Sequence, residues 1–284
     1  MSNKQTKSVI NSPLRYPGGK SKAIKFIKGF IPDFCELREP MIGGGSFILH
    51  FLQLFENKIF VASDLNYDVF CFWEILKTES SKLIDSVQFI YDKTNDGRKL
   101  YEKILTRRNK QQSEFDRAVD FFILNRITFS GVVDAGGYSK ASYDGRFTQS
   151  SINRLKKTSE IIKKIDFIYS DYSLLLKKPG KDIFLFLDPP YYSVSRSRLY
   201  GKKGLLHTEF NHEKFFADVK ECSHKWLITY DNSEYIRNLY KEYSQVEWEL
   251  QYGMNNYKRK SAAKGKELLI ANFDLRAQLS KNNN

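Results

Sequence analysis

Short hydrophobic runs that end in a polar or acidic residue recur along the chain. They span residues 34–39, 59–64, 183–188 and 226–231, with residues 165–171 as a fifth candidate. Each run is long enough for one buried strand. Residues 46–55, between the first two runs, are rich in Phe, Ile and Leu and predict a buried helix. A strand, a helix and a second strand form a βαβ unit, so the pattern predicts an α/β fold with a parallel sheet.

The pattern changes over residues 70–164. This segment begins with helical spacing of hydrophobic residues, including the apolar stretch 118–124, and continues into a turn-rich stretch over residues 130–146. We interpret it as a mostly helical insertion between two strands, with a loop or hairpin at its tip. The predicted sheet domain then comprises residues 1–69 and 165–284, and the predicted insertion comprises residues 70–164.

Positive charge is concentrated in the predicted insertion. The whole chain of 284 residues carries a net charge of +13. Residues 93–164 contain 16 Lys or Arg against 8 Asp or Glu, so this quarter of the chain supplies +8 of the total. Such a balance is typical of a protein that binds a polyanion, and the insertion is the segment expected to bind it.

The cysteines, histidines and hydropathy exclude several other classes of protein. The three cysteines lie far apart, which predicts neither a disulfide framework nor a zinc site, and the four histidines form no metal-binding pattern. No apolar stretch approaches the ~20 residues that a membrane-spanning helix needs. We therefore expect a metal-free protein of a reducing, cytoplasmic environment, without membrane attachment.

A glycine-rich turn follows the first predicted strand. Residues 39–46 read Glu-Pro-Met-Ile-Gly-Gly-Gly-Ser, and glycines here let the backbone turn sharply beside a ligand. Asp64 lies 19 residues after Gly45 at the end of the second predicted strand, where a carboxylate can accept hydrogen bonds from ribose hydroxyls. Together they predict an adenosine-containing cofactor. Position 48 is Ile where the G-x-G-x-x-G fingerprint needs glycine, which argues against a nicotinamide oxidoreductase.

The most specific motif is Asp-Pro-Pro-Tyr at residues 188–191, directly after the apolar run 183–187. Two prolines end the strand and form a rigid loop at its carboxyl end, where open α/β sheets bind ligands. The exocyclic amine of adenine is a poor nucleophile, and two hydrogen-bond acceptors would favour its pyramidal, nucleophilic form. Asp188 and the carbonyl of Pro189 can supply both acceptors, and Tyr191 can stack on a base flipped out of the duplex.

These motifs resemble the Dam-like class of adenine-specific DNA methyltransferases over nearly the whole chain. Leu-Arg-Tyr-Pro-Gly-Gly-Lys at residues 14–20 is similar to the K-W-x-G-G-K element of that class. Residues 39–46 resemble its E-P-F-x-G-x-G-S element, residues 63–66 its A-D-I-N, and residues 188–191 its D-P-P-Y. A later strand of the same fold is similar to residues 227–232. The order of the motifs is that of the α-ordered amino-methyltransferases.

The resemblance implies a Rossmann-like methyltransferase sheet that binds S-adenosyl-L-methionine. Carried over residue by residue, it assigns the cofactor to Tyr16, Lys20, Gly43, Gly45, Asp64, Asp171 and Asp188. Lys20 suits this role because it could pair with the carboxylate of the cofactor's methionine end. The catalytic residues would be Asp188, Pro189 and Tyr191. The element at residues 14–20 departs from the family at Arg15 and Pro17, while keeping an aromatic residue.

The resemblance also implies that the insertion is the target recognition domain for double-stranded DNA. Residues 125–131 resemble the family's N-R-x-x-x-N-G stretch, whereas the tip that follows departs from the family and leaves the recognition sequence open. The side chains expected to contact phosphates or base edges are Arg126, Lys140, Arg146 and Gln149, together with Arg196 and Arg198 after the Asp-Pro-Pro-Tyr motif. We expect a monomer or weak dimer, with a cognate restriction endonuclease as a partner encoded nearby.

Two alternatives share these motifs. Related proline-rich motifs serve methylation of cytosine N4 or of RNA, and the Gly-Gly-Lys element argues against both. A catalytically silent DNA-binding protein could use the same scaffold, but it would be free to lose Lys20, Asp64, Asp188 and Tyr191, which are intact here. Cofactor titration followed by methyl transfer to DNA or RNA distinguishes these possibilities.

Overall fold

A computed structural model describes residues 9–192, 210–251 and 264–283 of the chain, and a seven-stranded sheet forms its centre. The strands are β1 (Glu36–Pro40), β2 (Ile59–Asp64), β3 (Ile165–Tyr169), β4 (Ile183–Leu187), β5 (Lys225–Asp231), β6 (Ser244–Gln251) and β7 (Lys264–Ala271). Their order across the sheet is β3-β2-β1-β4-β5-β7-β6. The first five strands are parallel, and β7 runs antiparallel to both of its neighbours.

The predicted α/β fold with a parallel sheet is confirmed. All five predicted strands form within two residues of the expected bounds, and the predicted buried helix follows the glycine turn as α2. The antiparallel pair β6 and β7 was not anticipated. Strand β6 mixes charged and apolar residues because it is the edge strand of the sheet, and β7 begins with the polar residues 264–267 before its short apolar run 268–271.

Helices cover both faces of the sheet. They are α1 (Ile24–Ile27), α2 (Ser46–Leu52), α3 (Tyr67–Thr78), α4 (Ser80–Lys93), α5 (Gly97–Arg108), α6 (Glu114–Ile127), α7 (Lys140–Arg146), α8 (Gln149–Ile161), α9 (Tyr172–Lys177), α10 (His212–Lys220), α11 (Glu234–Leu239) and α12 (Leu275–Asn283). A short 3-10 helix, Lys20–Lys22, precedes α1. Among the helices of the described ranges, none is both long and apolar enough to cross a lipid bilayer.

Strand β4 shows why the centre of the sheet is fully apolar. All five of its residues are buried, and alternate side chains enter different hydrophobic clusters. Phe184 and Phe186 belong to the cluster on one face, and Leu185 and Leu187 belong to the cluster on the other. A strand covered by helices on both faces needs a continuous apolar run, which is the pattern that identified it.

The strand order reverses between β1 and β4. The chain passes from β1 outward through β2 and β3 and then returns to place β4 on the other side of β1. In open α/β sheets a crevice forms at this point, beyond the carboxyl ends of the two strands. The glycine-rich turn follows β1 and the Asp-Pro-Pro-Tyr motif follows β4, so both motifs lie at this crevice.

The segment between β2 and β3 is helical, from α3 to α8. Its apolar residues and those on one face of the sheet form a single hydrophobic cluster, to which Leu155 of α8 and Phe186 of β4 both belong. The expected loop or hairpin at its tip is partly wrong, because residues 140–146 form helix α7. Ser139 caps that helix by accepting a hydrogen bond from the Ser142 amide at 3.2 Å. The division into two domains stays a prediction.

Candidate active site

A buried ion pair lies at the carboxyl edge of the sheet. The Lys20 ammonium donates to Oδ2 of Asp188 at 2.8 Å and to the carbonyl of Gly18 at 2.7 Å. Lys20 is 3% exposed and Asp188 is 22% exposed. The predicted contact of Lys20 with the carboxylate of the cofactor stays a prediction, and the structure adds Asp188 as a partner within the protein.

The second oxygen of the Asp188 carboxylate is also bound. Thr229 of β5 donates its hydroxyl to Oδ1 of Asp188 at 2.7 Å. The carboxylate is therefore held by one donor on each oxygen, which fixes its orientation. Sequence reasoning missed Thr229, although it identified the strand that carries it. The feature that could have identified Thr229 is a threonine inside a largely apolar run, two residues before the end of the predicted strand.

Tyr191 packs directly on this ion pair. The Lys20 ammonium lies 5.0 Å from the centre of the Tyr191 ring, within the range of a cation–π contact. Burial raises the pKa of Tyr191 well above its usual range, and the negative charge of Asp188 adds to the effect. Tyr191 therefore stays neutral. Its ring and the rigid Pro189-Pro190 segment belong to the loop that follows β4 and begins at Asp188.

Tyr16 and Trp73 determine the shape of the glycine-rich turn. A side-chain carbon on Gly43 would lie 2.6 Å from the Tyr16 ring, and one on Gly44 would lie 2.7 Å from Tyr16 Cβ. One on Gly45 would lie 2.8 Å from the ring of Trp73, which also donates its indole N–H to the Gly43 carbonyl at 3.0 Å. Gly43 and Gly45 both have positive φ, at 45° and 63°. The turn therefore requires glycine because Tyr16 and Trp73 pack against its backbone.

Asp64 holds the other side of this turn. Its carboxylate accepts hydrogen bonds from the Gly43 amide at 2.9 Å and from the Asn66 amide at 2.8 Å. Burial raises the pKa of Asp64 to about 6, and these amides limit the rise. A carboxylate has about four acceptor positions, so two remain for donors from a ligand.

Glu39 plays a structural part beside this crevice. It is 4% exposed and accepts a hydrogen bond from the Ile48 amide at 2.8 Å, which ties the end of β1 to the first turn of α2. Burial raises the pKa of Glu39 well above its usual range, with an opposing contribution from that amide and a further rise from Asp188. Asp171 has a local role as well, because it caps α9 by accepting from the Ser173 amide at 3.0 Å.

The predicted DNA-contacting residues of the insertion differ in exposure. Arg126 is only 3% exposed and lies 5.3 Å from the Phe122 ring centre. Its Nε and Nη2 atoms have no hydrogen-bond partner among the described residues. Burial lowers its pKa to about 9, with further lowering from three other arginines, Arg154, Arg15 and Arg146. A buried guanidinium among three like charges is a site that an anion would stabilise.

The other predicted contacts lie on the surface. Lys140 forms an exposed ion pair with Asp144 at 2.7 Å, and Gln149 hydrogen-bonds to Gln88 at 3.0 Å. Arg146 is exposed at the end of α7. The predicted contacts Arg196 and Arg198 lie outside the described residues. Phe129, which the sequence reasoning did not single out, is 66% exposed and follows α6 closely.

Asn125 connects the insertion to the crevice. Its side chain accepts from the Arg15 amide at 2.8 Å and donates to the Arg15 carbonyl at 2.7 Å. It donates as well to the Gly131 carbonyl at 3.0 Å. The Asn-Arg motif of the insertion is therefore joined to the backbone five residues before Lys20.

No group of three potential metal ligands occurs within the described part of the chain.

Comparisons with known proteins agree with the resemblance drawn from the motifs. A family model described as D12 class N6 adenine-specific DNA methyltransferase matches residues 16–254. Type II methyltransferase M.CviBI of Paramecium bursaria Chlorella virus NC1A is 27% identical over 250 residues, covering 84% of this chain and 90% of that protein. A DNA adenine methylase of Vibrio cholerae serotype O1 (strain ATCC 39541 / Classical Ogawa 395 / O395) is 24% identical, covering 80% and 84%.

Among solved structures, precorrin-6y C5,15-methyltransferase from Geobacter metallireducens GS-15 aligns with a TM-score of 0.36 and 8% sequence identity. The alignment covers 88% of this chain and 86% of that one.

The steric role of the glycine turn can be tested against a matched glycine. Gly45 and Gly137 both have positive φ, at 63° and 61°, but nothing lies within 4 Å of a side-chain carbon on Gly137. Positive φ alone costs a non-glycine residue about 1–3 kcal/mol. We expect Gly45→Ala to lower the free energy of unfolding by about 1–3 kcal/mol more than Gly137→Ala, because its methyl group meets Trp73. Urea unfolding of both variants measures the difference, and equal losses would contradict the steric role.

Proposed function

The chain belongs to the D12 class of N6 adenine-specific DNA methyltransferases, and we propose that Asp188 is the residue that activates the adenine amine. The reaction transfers a methyl group from S-adenosylmethionine to N6 of adenine in DNA. The observation that carries the proposal is the buried Lys20–Asp188 ion pair, which lies where the strand order reverses and where ligands of such sheets bind.

The residues at this edge fit the nucleoside part of S-adenosylmethionine. Asp64 keeps acceptor positions for the ribose hydroxyls after binding two backbone amides. The turn that contains Gly43 and Gly45 carries no side chains, and we propose that the nucleoside lies beside it. We assign Tyr16 to the wall of the same pocket, since its ring packs on that turn. Asp171, at the start of α9, is proposed for the adenine side.

When bound, S-adenosylmethionine supplies a methyl group on a positively charged sulfur, which makes its carbon electrophilic. The protein then has to present the adenine amine with its lone pair available. Asp188 is suited to accept one N–H of that amine, because Thr229 and Lys20 fix its carboxylate. The Pro189 carbonyl would accept the other N–H, and the Tyr191 ring would stack on the flipped base. Lys20 is proposed to position Asp188, in addition to its predicted contact with the carboxylate of the cofactor.

Recognition of DNA is assigned to the helical insertion. Its excess of positive charge supplies the attraction to phosphates that dominates the affinity for DNA. The buried guanidinium of Arg126 adds positive charge beneath this surface, and exposed side chains such as Arg146 and Gln149 suit contacts with phosphates or in a groove. Phe129 is an exposed aromatic next to this cluster and suits stacking against a base.

The cellular setting is proposed from the substrate and from the relatives. Some relatives are named type II methyltransferases, which favours a cognate restriction endonuclease in the same cell. The cysteines of the described residues are free thiols, which suits the cytoplasm, where DNA and S-adenosylmethionine are both available.

We expect Asp188→Asn to lower the rate of methyl transfer by about 10²–10⁴-fold, because the amide cannot accept the adenine N–H as an anion does. DNA affinity should persist, since phosphate contacts supply most of it. Asp166→Asn is the control, because Asp166 is a 74% exposed carboxylate on β3. Transfer of labelled methyl groups measures the rate, and circular dichroism verifies the fold. A folded Asp188→Asn enzyme with wild-type turnover would contradict the assigned role.

Cofactor affinity should depend on pH through Asp64. The ribose hydroxyls bind the ionised carboxylate, and the pKa of Asp64 is raised to about 6 by burial. Affinity should be constant above that pKa and fall as the pH drops below it and Asp64 gains a proton. Asp64→Ala should weaken binding about ten- to hundredfold and remove this pH dependence. Calorimetric titration at a series of pH values measures both effects, and a wild-type curve in the variant would contradict them.

Target specificity should change only when surface residues of the insertion are replaced. We expect Arg126→Met to weaken binding to every sequence alike, because this buried cation contributes to the positive field that attracts phosphates and does not reach a base. At least one substitution among Lys140, Arg146 and Gln149 should shift the preferred site by about 1–3 kcal/mol at one base position.

The control is Lys281→Met, which removes a 65% exposed lysine of α12. Sequencing of methylated sites in cells that express each variant separates the two outcomes. If all four variants of the insertion lose rate with an unchanged site preference, the residues that contact the bases lie elsewhere in the chain.

A further inference from the structure

Glu267, near the start of β7, is a buried carboxylate outside the recognised motifs. It is 1% exposed. Neither carboxylate oxygen accepts a well-formed hydrogen bond among the described residues, and the contact with the Tyr191 hydroxyl compensates its burial only in part. Its neighbours along the strand, Leu268, Leu269 and Ile270, are fully buried hydrophobic residues. A leucine at this position would make the fold more stable, because burying a carboxylate without full hydrogen bonding carries a large desolvation cost. The acid therefore points to a role in the nearby site.

The register of the sheet places Glu267 on the same side as the active carboxylate. Glu267 pairs with Asp231 of β5, and Thr229 lies two residues before Asp231 on the same face of that strand. Leu269, two residues after Glu267, belongs to the same hydrophobic cluster as Phe186 of β4. Thr229 in turn donates to Asp188, so the side chains of Glu267 and Asp188 are directed toward the same region.

The charges around Glu267 are those of the active site. Burial raises the pKa of Glu267 to about 7, Lys20 opposes the rise, and Asp188 and Asp231 increase it. Tyr191 is close enough to interact with the carboxylate as well. The buried ammonium of Lys20 therefore interacts with two carboxylates. It donates to Asp188 at 2.8 Å, and its charge lowers the pKa of Glu267.

We propose that Glu267 is a positioning residue that controls how much of the Lys20 charge is available to Asp188. When Glu267 is ionised, it shares Lys20 with Asp188, and Asp188 keeps more negative charge with which to accept the adenine N–H. When Glu267 is protonated, Lys20 neutralises Asp188 more completely, and the amine is activated less. The inference rests on the roles proposed above for Asp188 and Lys20.

The bond changes of the reaction do not include Glu267. The amine nitrogen forms a bond to the methyl carbon while the carbon–sulfur bond breaks and its electron pair stays on sulfur. The nitrogen then carries a positive charge until it loses one proton, which Asp188 is placed to receive. Glu267 acts before and during these steps only through the electrostatic field at Asp188.

The test is the pH dependence of a single turnover with saturating DNA and cofactor. The wild-type rate should rise with pH through an inflection near the pKa of Glu267, about 7. Glu267→Gln should remove the inflection. On the alkaline side it should be about tenfold slower than the wild type, which is the effect of raising the barrier to methyl transfer by the free energy of one pKa unit. Glu267→Asp keeps an ionisable carboxylate and should restore a pH-dependent rate. Binding of cofactor and DNA should remain unchanged in both variants.

The control is Glu247→Gln on the neighbouring strand β6, where the carboxylate is 41% exposed and paired with Arg237. It should keep the wild-type profile. Stability gives a second readout, because the pKa of Glu267 is higher in the folded chain than in the unfolded chain. Its ionisation therefore costs the fold stability as the pH rises from the unfolded pKa of about 4.5 to the folded pKa of about 7, and the loss is constant above that, so Glu267→Gln should raise Tm much more at pH 8 than at pH 4.

Two outcomes would overturn the inference. One is a Glu267→Gln enzyme that keeps the inflection, whether its rate is normal or reduced equally at every pH, since that indicates a structural role. The other is a wild-type enzyme without an inflection in this range. Failure of the proposed function is distinguishable, because Asp188→Asn would then retain full turnover whatever the result for Glu267.

Discussion

The burial of Lys20 is the constraint on which the site depends. An ammonium that is 3% exposed has lost its hydration, and this loss costs several kcal/mol unless charged and polar partners replace the water. Asp188, the Gly18 carbonyl and the Tyr191 ring supply those partners. Because the three partners come from the turn before α1 and the loop after β4, the ion pair also fixes these two segments relative to each other.

Much of the fold was predictable because its centre obeys a simple physical rule. Strands covered on both faces must be apolar throughout, and loops at their carboxyl ends carry the polar residues that bind ligands. Residues 183–188 follow this rule closely, and the prediction of a buried strand followed by a ligand-binding loop was based on it. The glycine turn and Asp64 were predictable for a similar reason, since the backbone can approach a nucleoside only where side chains are absent.

The remaining features depend on contacts between distant segments, which spacing along the chain does not encode. Thr229 meets Asp188 across 41 residues, and Asn125 meets Arg15 across 110. Arg126 belongs to a motif expected to contact DNA, yet it is buried in α6, which packs against α3 and α7, and no local pattern reveals this packing. The antiparallel strand β7 was missed, and Glu267 was missed with it.

The contact between Asn125 and Arg15 joins the helical insertion to the segment that carries Lys20. Two hydrogen bonds hold the backbone at Arg15 to the end of α6, where the Asn-Arg motif of the insertion lies. Lys20 follows five residues later and holds Asp188. A shift of α6 on binding DNA would therefore be transmitted through a short, hydrogen-bonded segment to the carboxylate that accepts the target amine. Under the roles proposed for the insertion and for Asp188, these hydrogen bonds provide a direct connection between the segment that would bind DNA and the carboxylate that would accept the amine.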